Sequence, residues 1–208
     1  MKFRQFNFCL LLTAAICAAC TNERIKESAP TNSAVENPLV ETTPTPQQVE
    51  LDVPYVPTHE MVVDEMLKMA EVKSGDVLYD LGSGDGRIPI TAAKRFGTRG
   101  VGIDLNPVRI KEANENAEKA GVTDKVRFIQ GDIFKEDFSE ATVLTLYLLP
   151  DVNMRLRPQI LQMKPGTRVV SHNYDMGDWE PEKFKKVTTP DGTEHYVYFW
   201  RVPEKKEK

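Results

Sequence analysis

Beyond residue 20 the chain contains no cysteine; all three, Cys9, Cys17 and Cys20, precede that point. The remainder therefore has neither a disulfide framework nor a thiolate metal site. The three histidines, His59, His172 and His195, are scattered with no ligand spacing, so no metal is expected. Basic excess is also missing. The net charge is −4 with acids and bases intermixed, so no nucleic acid partner held by phosphate neutralisation is expected. The one long apolar run, Phe8 to Ala19, is short for a membrane-spanning helix, and no internal repeat is visible.

What is present is 208 residues, 40% hydrophobic and 28% charged, enough for one packed domain with additional segments. Lys2 and Arg4 precede the apolar run, and small residues end it, the pattern of a secretory signal. "CAAC" resembles a bacterial lipoprotein cleavage box with Cys20 as the lipidated residue, although Cys17 stands where leucine is usual. An ordinary signal peptide or an uncleaved anchor is the alternative. Residues 21–50 are rich in Pro, Thr, Asn, Ser and Glu and bury too little to offset their ordering entropy, so they read as a flexible tether. The expected organisation is a signal segment over 1–20, a tether over 21–50, a domain over 51–203 and a charged tail over 204–208. It places the domain at a bacterial envelope membrane, held by lipid or by the N-terminal segment. Lys2 and Arg4 favour export of the domain; an uncleaved anchor would leave it on the cytoplasmic face.

"VPYVPT" brakes the chain with Pro54 and Pro57 and offers Thr58 as a helix N-cap. Met61, Val62, Met66, Leu67 and Met69 then form a helical apolar stripe. "DVLYDLG", "RGVGIDL", "KVRFIQGD", a long "ATVLTLYLLP" and "TRVVSHN" read as five strands. "GRIPITAAKRFG" reads as a helix, as does "NPVRIKEANENAEKAG" with Asn106 as cap, Pro107 at its first position and Gly121 at its end. "DVNMRLRPQILQMKPG" reads as a helix broken at Pro158, and Asp191-Gly192 joins two alternating runs as a hairpin. The expected fold is α/β, a Rossmann-like, doubly wound and mostly parallel sheet with an antiparallel C-terminal hairpin.

In such a sheet, ligands bind beyond the C-terminal ends of the strands. The loop "DLGSGDGR" lies there. It lacks the lysine and hydroxyl of a phosphate-binding loop, since Arg87 and Ile88 follow Gly86. Its spacing, Gly82-x-Gly84-x-Gly86, departs from the dinucleotide fingerprint, and the carboxylates Asp80 and Asp85 would repel a pyrophosphate. They suit a ligand with positive charge, and S-adenosylmethionine carries a sulfonium and an ammonium. Gly82 and Gly84 allow close backbone approach, with Asp80 placed to orient the ammonium. Asp104 is placed to accept the ribose hydroxyls, and Asp132 the adenine amino group, with Leu105 and Ile133 on either side of the ring. NAD remains an alternative, because Asp104 would serve its ribose equally well, and so do ordinary strand-to-helix turns rich in Asp and Gly.

"VPYVPT", "YDLGSGDGR", "GVGIDLNP", "QGDIF", "ATVLTLYLLP", "MKPGTRVVSH" and "GDW" resemble the class I methyltransferases, and more narrowly the mitochondrial protein lysine methyltransferases and their bacterial relatives. The resemblance covers about Val53 to Trp179. It implies a seven-stranded methyltransferase fold, S-adenosylmethionine as donor and protein lysine as acceptor. A small-molecule or lipid acceptor, or a non-catalytic envelope module, are the other readings. Methyl transfer needs an aligned, deprotonated amine, and lysine at pKa about 10.4 is largely charged at neutral pH. A desolvating slot would lower that value. Its candidates are Tyr147, His172 and Asn173, with Pro150 beside them and Tyr55 as a cover over the donor.

Overall fold

The computed structural model describes residues 55–205. The signal segment, the tether and Cys20 lie outside the described residues. The elements are α1 (Glu60–Met69), β1 (Val77–Leu81), α2 (Arg87–Phe96), β2 (Arg99–Asp104), α3 (Pro107–Ala120), β3 (Val126–Gln130), β4 (Val143–Leu146), α4 (Pro150–Ile160), β5 (Arg168–His172), β6 (Lys183–Thr188) and β7 (Glu194–Arg201). They form one seven-stranded sheet in the order β3-β2-β1-β4-β5-β7-β6. The first five strands pair in parallel, and β7 pairs antiparallel with both β5 and β6. The hairpin folds back so that β7 lies inside the sheet and β6 forms its edge.

Alternation along each strand sends residues to opposite faces. Leu78, Val143, Val170, Val197 and Phe199 pack with Val62, Val63, Met66 and Leu67 of α1 and with Ile88 and Ala92 of α2. Tyr79, Leu81, Leu144, Leu146, Val169 and Trp200 pack with Leu156 and Ile160 of α4. Each fully buried aliphatic side chain stabilises the fold by about 1.5–3 kcal/mol relative to exposure.

Four local expectations are revised. Helix α1 is capped by His59, whose Nδ1 accepts from the Met61 N–H at 3.2 Å; Thr58 is buried and engaged elsewhere. Val63 takes the core position assigned to Met61, which is exposed, because 62, 63, 66 and 67 form the tighter helical stripe. β4 stops at Leu146, where its last rungs reach Leu81 and Ser171, because β1 turns away at Gly82 and leaves Tyr147 no ladder partner on that side. Finally, α4 runs unbroken through Pro158. That proline withdraws only the bond to the exposed Met154 and sits in the last turn, so the helix continues past it to Ile160 and ends soon after.

Candidate functional site

The strand order reverses at β1, with β2 on one side and β4 on the other, and a cleft opens there at the C-terminal edge. Its lining includes Tyr55, Asp80, Gly82, Gly84, Asp104, Leu105, Asp132, Ile133 and Tyr147. Residues spread over some 90 positions of sequence thus share one wall, because parallel strands present their C-terminal ends together.

Asp80 is buried in the middle of the sheet, opposite Thr145 of β4, whose hydroxyl donates to its Oδ1 at 2.6 Å. Burial pushes the carboxyl up to about 7; the Thr145 hydrogen bond works against this, and the charges of Asp104 and Asp85 add to it. A cation in the cleft would relieve that strain. Asp104, the last residue of β2, accepts from the Gly84 N–H at 2.8 Å through Oδ2 and from the Asn106 N–H at 2.9 Å through Oδ1. Each oxygen keeps acceptor capacity for a hydroxyl. Asp132 stands just past β3 and accepts from the Phe134 N–H at 3.0 Å. Lys135 pairs with it at 2.9 Å. The Lys135 hydrogen bond, more than that of Phe134, holds its carboxyl below the usual range.

The glycine loop lines the cleft and is also packed closely within the protein. Gly82 and Gly84 do adopt left-handed φ of 75° and 52°. Their close neighbours, however, are protein side chains. A Cβ on Gly84 would lie 2.5 Å from the Tyr55 ring, and one on Gly82 would lie 2.7 Å from Leu148. Asp85 is not an open carboxylate either. Arg87 holds it in a forked pair, Nε to Oδ1 at 2.9 Å and Nη2 to Oδ2 at 2.6 Å. Burial opposes its charge, and Arg87 outweighs burial, so its carboxyl falls below the usual range. The cationic preference of the loop therefore rests on Asp80.

Arg87 also donates to the Thr58 carbonyl at 2.8 Å, and the Arg109 guanidinium lies 4.3 Å from the Tyr55 ring centre. Residues 55–58 thus form a strap clamped across the glycine loop. Burial, and next the Asp85 charge, push the Tyr55 phenol up. Arg87 and Arg109 were not among the residues singled out from sequence. Arg109 left a signal: it is basic in the first turn of α3, against the helix dipole.

Tyr147 follows β4 and is half-buried at the cleft, with its ring centre 3.8 Å from that of His172 and 6.4 Å from that of Tyr174. Burial raises its phenol, and a hydrogen bond from the Asn173 side chain opposes this. Asn173 takes φ of 63° and extends the β5–β7 ladder, its N–H donating to the Tyr196 carbonyl at 2.6 Å and its Oδ1 accepting from the Tyr196 N–H at 2.9 Å. His172 stands behind Tyr147, and of the three slot candidates only Tyr147 lines the cleft, with Asn173 next to His172 in the chain and outside the lining. His172 Nδ1 lies 3.2 Å from the Thr58 hydroxyl and its Nε2 lies 2.9 Å from His195 Nδ1. Burial, and secondarily His195, push it down to about 3, so the imidazole is neutral. Among the described residues no cluster of His, Cys, Asp or Glu is arranged to hold a metal.

A seven-stranded sheet of this order, with acids at three adjacent strand ends and a buried carboxyl that favours a cation, defines a class I S-adenosylmethionine-dependent methyltransferase. Residues 80–183 match the ANTKMT methyltransferase domain, and the chain belongs to that family. It is 49% identical over 157 residues to the protein-lysine N-methyltransferase of Saccharolobus islandicus, covering 74% of this chain and 96% of that protein. It is 33% identical over 135 residues to the adenine nucleotide translocase lysine N-methyltransferase of Mus musculus, covering 64% of this chain and 58% of that protein, less than two thirds of its length. A crystal structure described as an RNA methyltransferase from Salinibacter ruber, in complex with S-adenosylhomocysteine, aligns with a TM-score of 0.69 at 54% identity. The alignment covers 74% of this chain and 97% of that one.

The donor set fits S-adenosylmethionine: a buried carboxyl for the ammonium, an open carboxylate for a diol, and apolar Leu105 and Ile133 near Asp132 for a ring. When bound, the donor supplies an electrophilic methyl on sulfur. The protein's part is to hold it at the β1 end and to align an acceptor.

Proposed function

We propose that the protein is a protein-lysine N-methyltransferase. The observation that carries this reading is the 49% identity with the archaeal protein-lysine enzyme over nearly the whole of that protein. The wall beside the donor cleft supports it. Tyr147 and Tyr174 present aromatic surface, and Asp151 and Asp175 lie exposed close by in sequence, which suits the attraction of a cationic side chain to this wall. In this reading Asp80, Asp104, Asp132, Leu105, Ile133, Gly82 and Gly84 hold the donor and Tyr55 covers it, while Tyr147 and Asn173 form the acceptor wall and His172 supports it from behind.

The description of the Salinibacter ruber protein raises RNA as a second acceptor class. A net charge of −4 disfavours it. Incubating the protein with methyl-tritiated S-adenosylmethionine and a total cell extract separates the readings. Label in protein, recovered as methyllysine after hydrolysis, is expected. Label confined to RNA, lipid or small metabolites would sink the proposal.

We also propose attachment to the membrane through a lipid on Cys20. What supports this is the sequence of residues 1–20, with Lys2 and Arg4 before the apolar run and "CAAC" after it. Among the described residues no helix is long and apolar enough to cross a membrane. Cells fed radiolabelled palmitate should label the wild type and leave Cys20→Ser unlabelled; a wild type without label would rule out the lipid.

A further inference from the structure

Three polar side chains from distant parts of the chain form one string. Thr58 comes from the strap before α1, His172 ends β5, and His195 lies near the start of β7. The Thr58 hydroxyl lies 3.2 Å from His172 Nδ1, and His172 Nε2 lies 2.9 Å from His195 Nδ1. Thr58 and His172 are buried, whereas His195 is partly open to solvent. In either tautomer the His172 ring has one nitrogen facing the Thr58 hydroxyl and the other facing His195, so no ring nitrogen of His172 remains for a substrate. The string touches both halves of the site. At one end, the Thr58 carbonyl is held by Arg87, within the same strap whose Tyr55 lies across Gly84 of the donor loop. In its middle, the His172 ring packs 3.8 Å, centre to centre, from Tyr147.

We propose that Thr58, His172 and His195 are positioning residues that couple the strap over the donor cleft to the Tyr147 wall, setting that wall when the strap is closed. The proposal rests on the reading of Tyr147 as acceptor wall. Its physical basis is that a wall residue displaced by about 1 Å can slow a transfer reaction by about a hundredfold, although the donor is still held. The donor-binding acids Asp80, Asp104 and Asp132 hydrogen-bond to other groups and are not part of the string.

The test uses the full chain and two readouts. The first is the initial rate of tritium transfer from saturating S-adenosylmethionine into a total protein extract. Thr58→Val keeps the shape of the residue and removes the hydroxyl; His172→Phe keeps a ring against Tyr147 and removes both nitrogens. Each should slow transfer about tenfold or more while the donor Kd stays within about threefold. His195→Asn, whose amide can accept or donate in place of Nδ1, should recover most of the rate lost in His195→Ala. The second readout needs no acceptor. S-adenosylhomocysteine should shift the ring-nitrogen resonances of His195 in the wild type and leave them unmoved in Thr58→Val. Unchanged rates in folded Thr58→Val and His172→Phe would overturn the proposal, as would His195 resonances indifferent to the ligand. Rates fully restored by raising the pH would overturn it in favour of proton transfer through the string. If the wild type labels no protein, the acceptor reading fails alone and the resonance measurement still decides the coupling.

Discussion

At the scale of single residues, Asp80 and Asp104 divide the work of holding the donor, and they predict different behaviour. Asp104 keeps free acceptor capacity on both oxygens while its backbone bonds fix its orientation. Asp104→Ala should weaken donor binding about a hundredfold or more, since it leaves bound hydroxyls unpartnered, with little change in fold. Calorimetric titration together with far-ultraviolet dichroism checks both halves. Asp80 gives a pH signature. Its folded value of about 7 lies above the ordinary carboxylate value, so the folded state binds the proton more tightly. The contribution to stability is therefore full below about pH 4 and is lost as pH rises through about 7. A ligand with an ammonium group prefers the ionised form, so its affinity should rise over the same window, by up to about tenfold per pH unit below 7. Titration at pH 5.5 and 7.5 should show tighter binding at the higher pH, and Asp80→Asn should flatten the dependence. Affinity independent of pH in the wild type would remove Asp80 from contact with the cation. Of the residues in the cleft, the acids at strand ends were legible because strand, turn and helix signals fix where a strand ends. The Asp85–Arg87 fork was not read, although the two charges stand only two positions apart, because sequence does not show which loop carboxylate faces inward.

At the scale of elements, the strap and the C-terminal end of α1 are tied to the sheet by polar anchors. Asp76, buried just before β1, pairs with Arg168 at the start of β5 and accepts from Thr142 at 2.9 Å and from the Lys73 N–H at 2.8 Å. The same arginine donates to the carbonyls of Ala70 and Glu71 at 2.8 and 2.9 Å, closing the end of α1. Arg168→Met should leave Asp76 buried without its counter-charge and lower stability by about 3–5 kcal/mol, read as a fall in the denaturant midpoint. A change of under about 1 kcal/mol would mean that water reaches Asp76. Gly84→Ala tests the strap from the other side. Its φ of 52° and the Tyr55 ring at 2.5 Å from the added Cβ should displace the strap and cost about 1–2 kcal/mol, with weaker donor binding. The helices themselves were largely readable, since Asn106-Pro107 and Gly121 cap α3 where the sequence places them. The length of β4 was not. An apolar run reports hydrophobicity, whereas a strand ends where its neighbours stop pairing, and β1 stops at Leu81.

At the scale of the whole molecule, the sheet divides the core into two faces, and the donor cleft lies at the edge that both share. Ligand binding to the folded state alone should therefore stabilise the whole domain. S-adenosylhomocysteine at a hundred times its Kd should add about 2.7 kcal/mol and raise the melting temperature by several degrees. A thermal melt with and without ligand measures this, and Asp104→Ala at the same ligand concentration should cut the gain to about 0.4 kcal/mol or less. The reversal of strand order at β1 makes the crevice. The late insertion of β7 between β5 and β6 places His195 beside His172 and Tyr196 beside Asn173.

The sequence by itself determined the alternation of strands and helices, the caps of α3, the position of the acids at the strand ends and the absence of the residues that other nucleotide sites require. These are local properties, set by period, turn chemistry and residue type within a few positions. Only the tertiary structure decided that Asp85 is held by Arg87, that Gly84 makes room for Tyr55, and that His172 faces Thr58 instead of the cleft. Those outcomes depend on register and on contacts across up to 114 positions of chain. No local signal encodes such contacts, because they exist only once the sheet has closed around them.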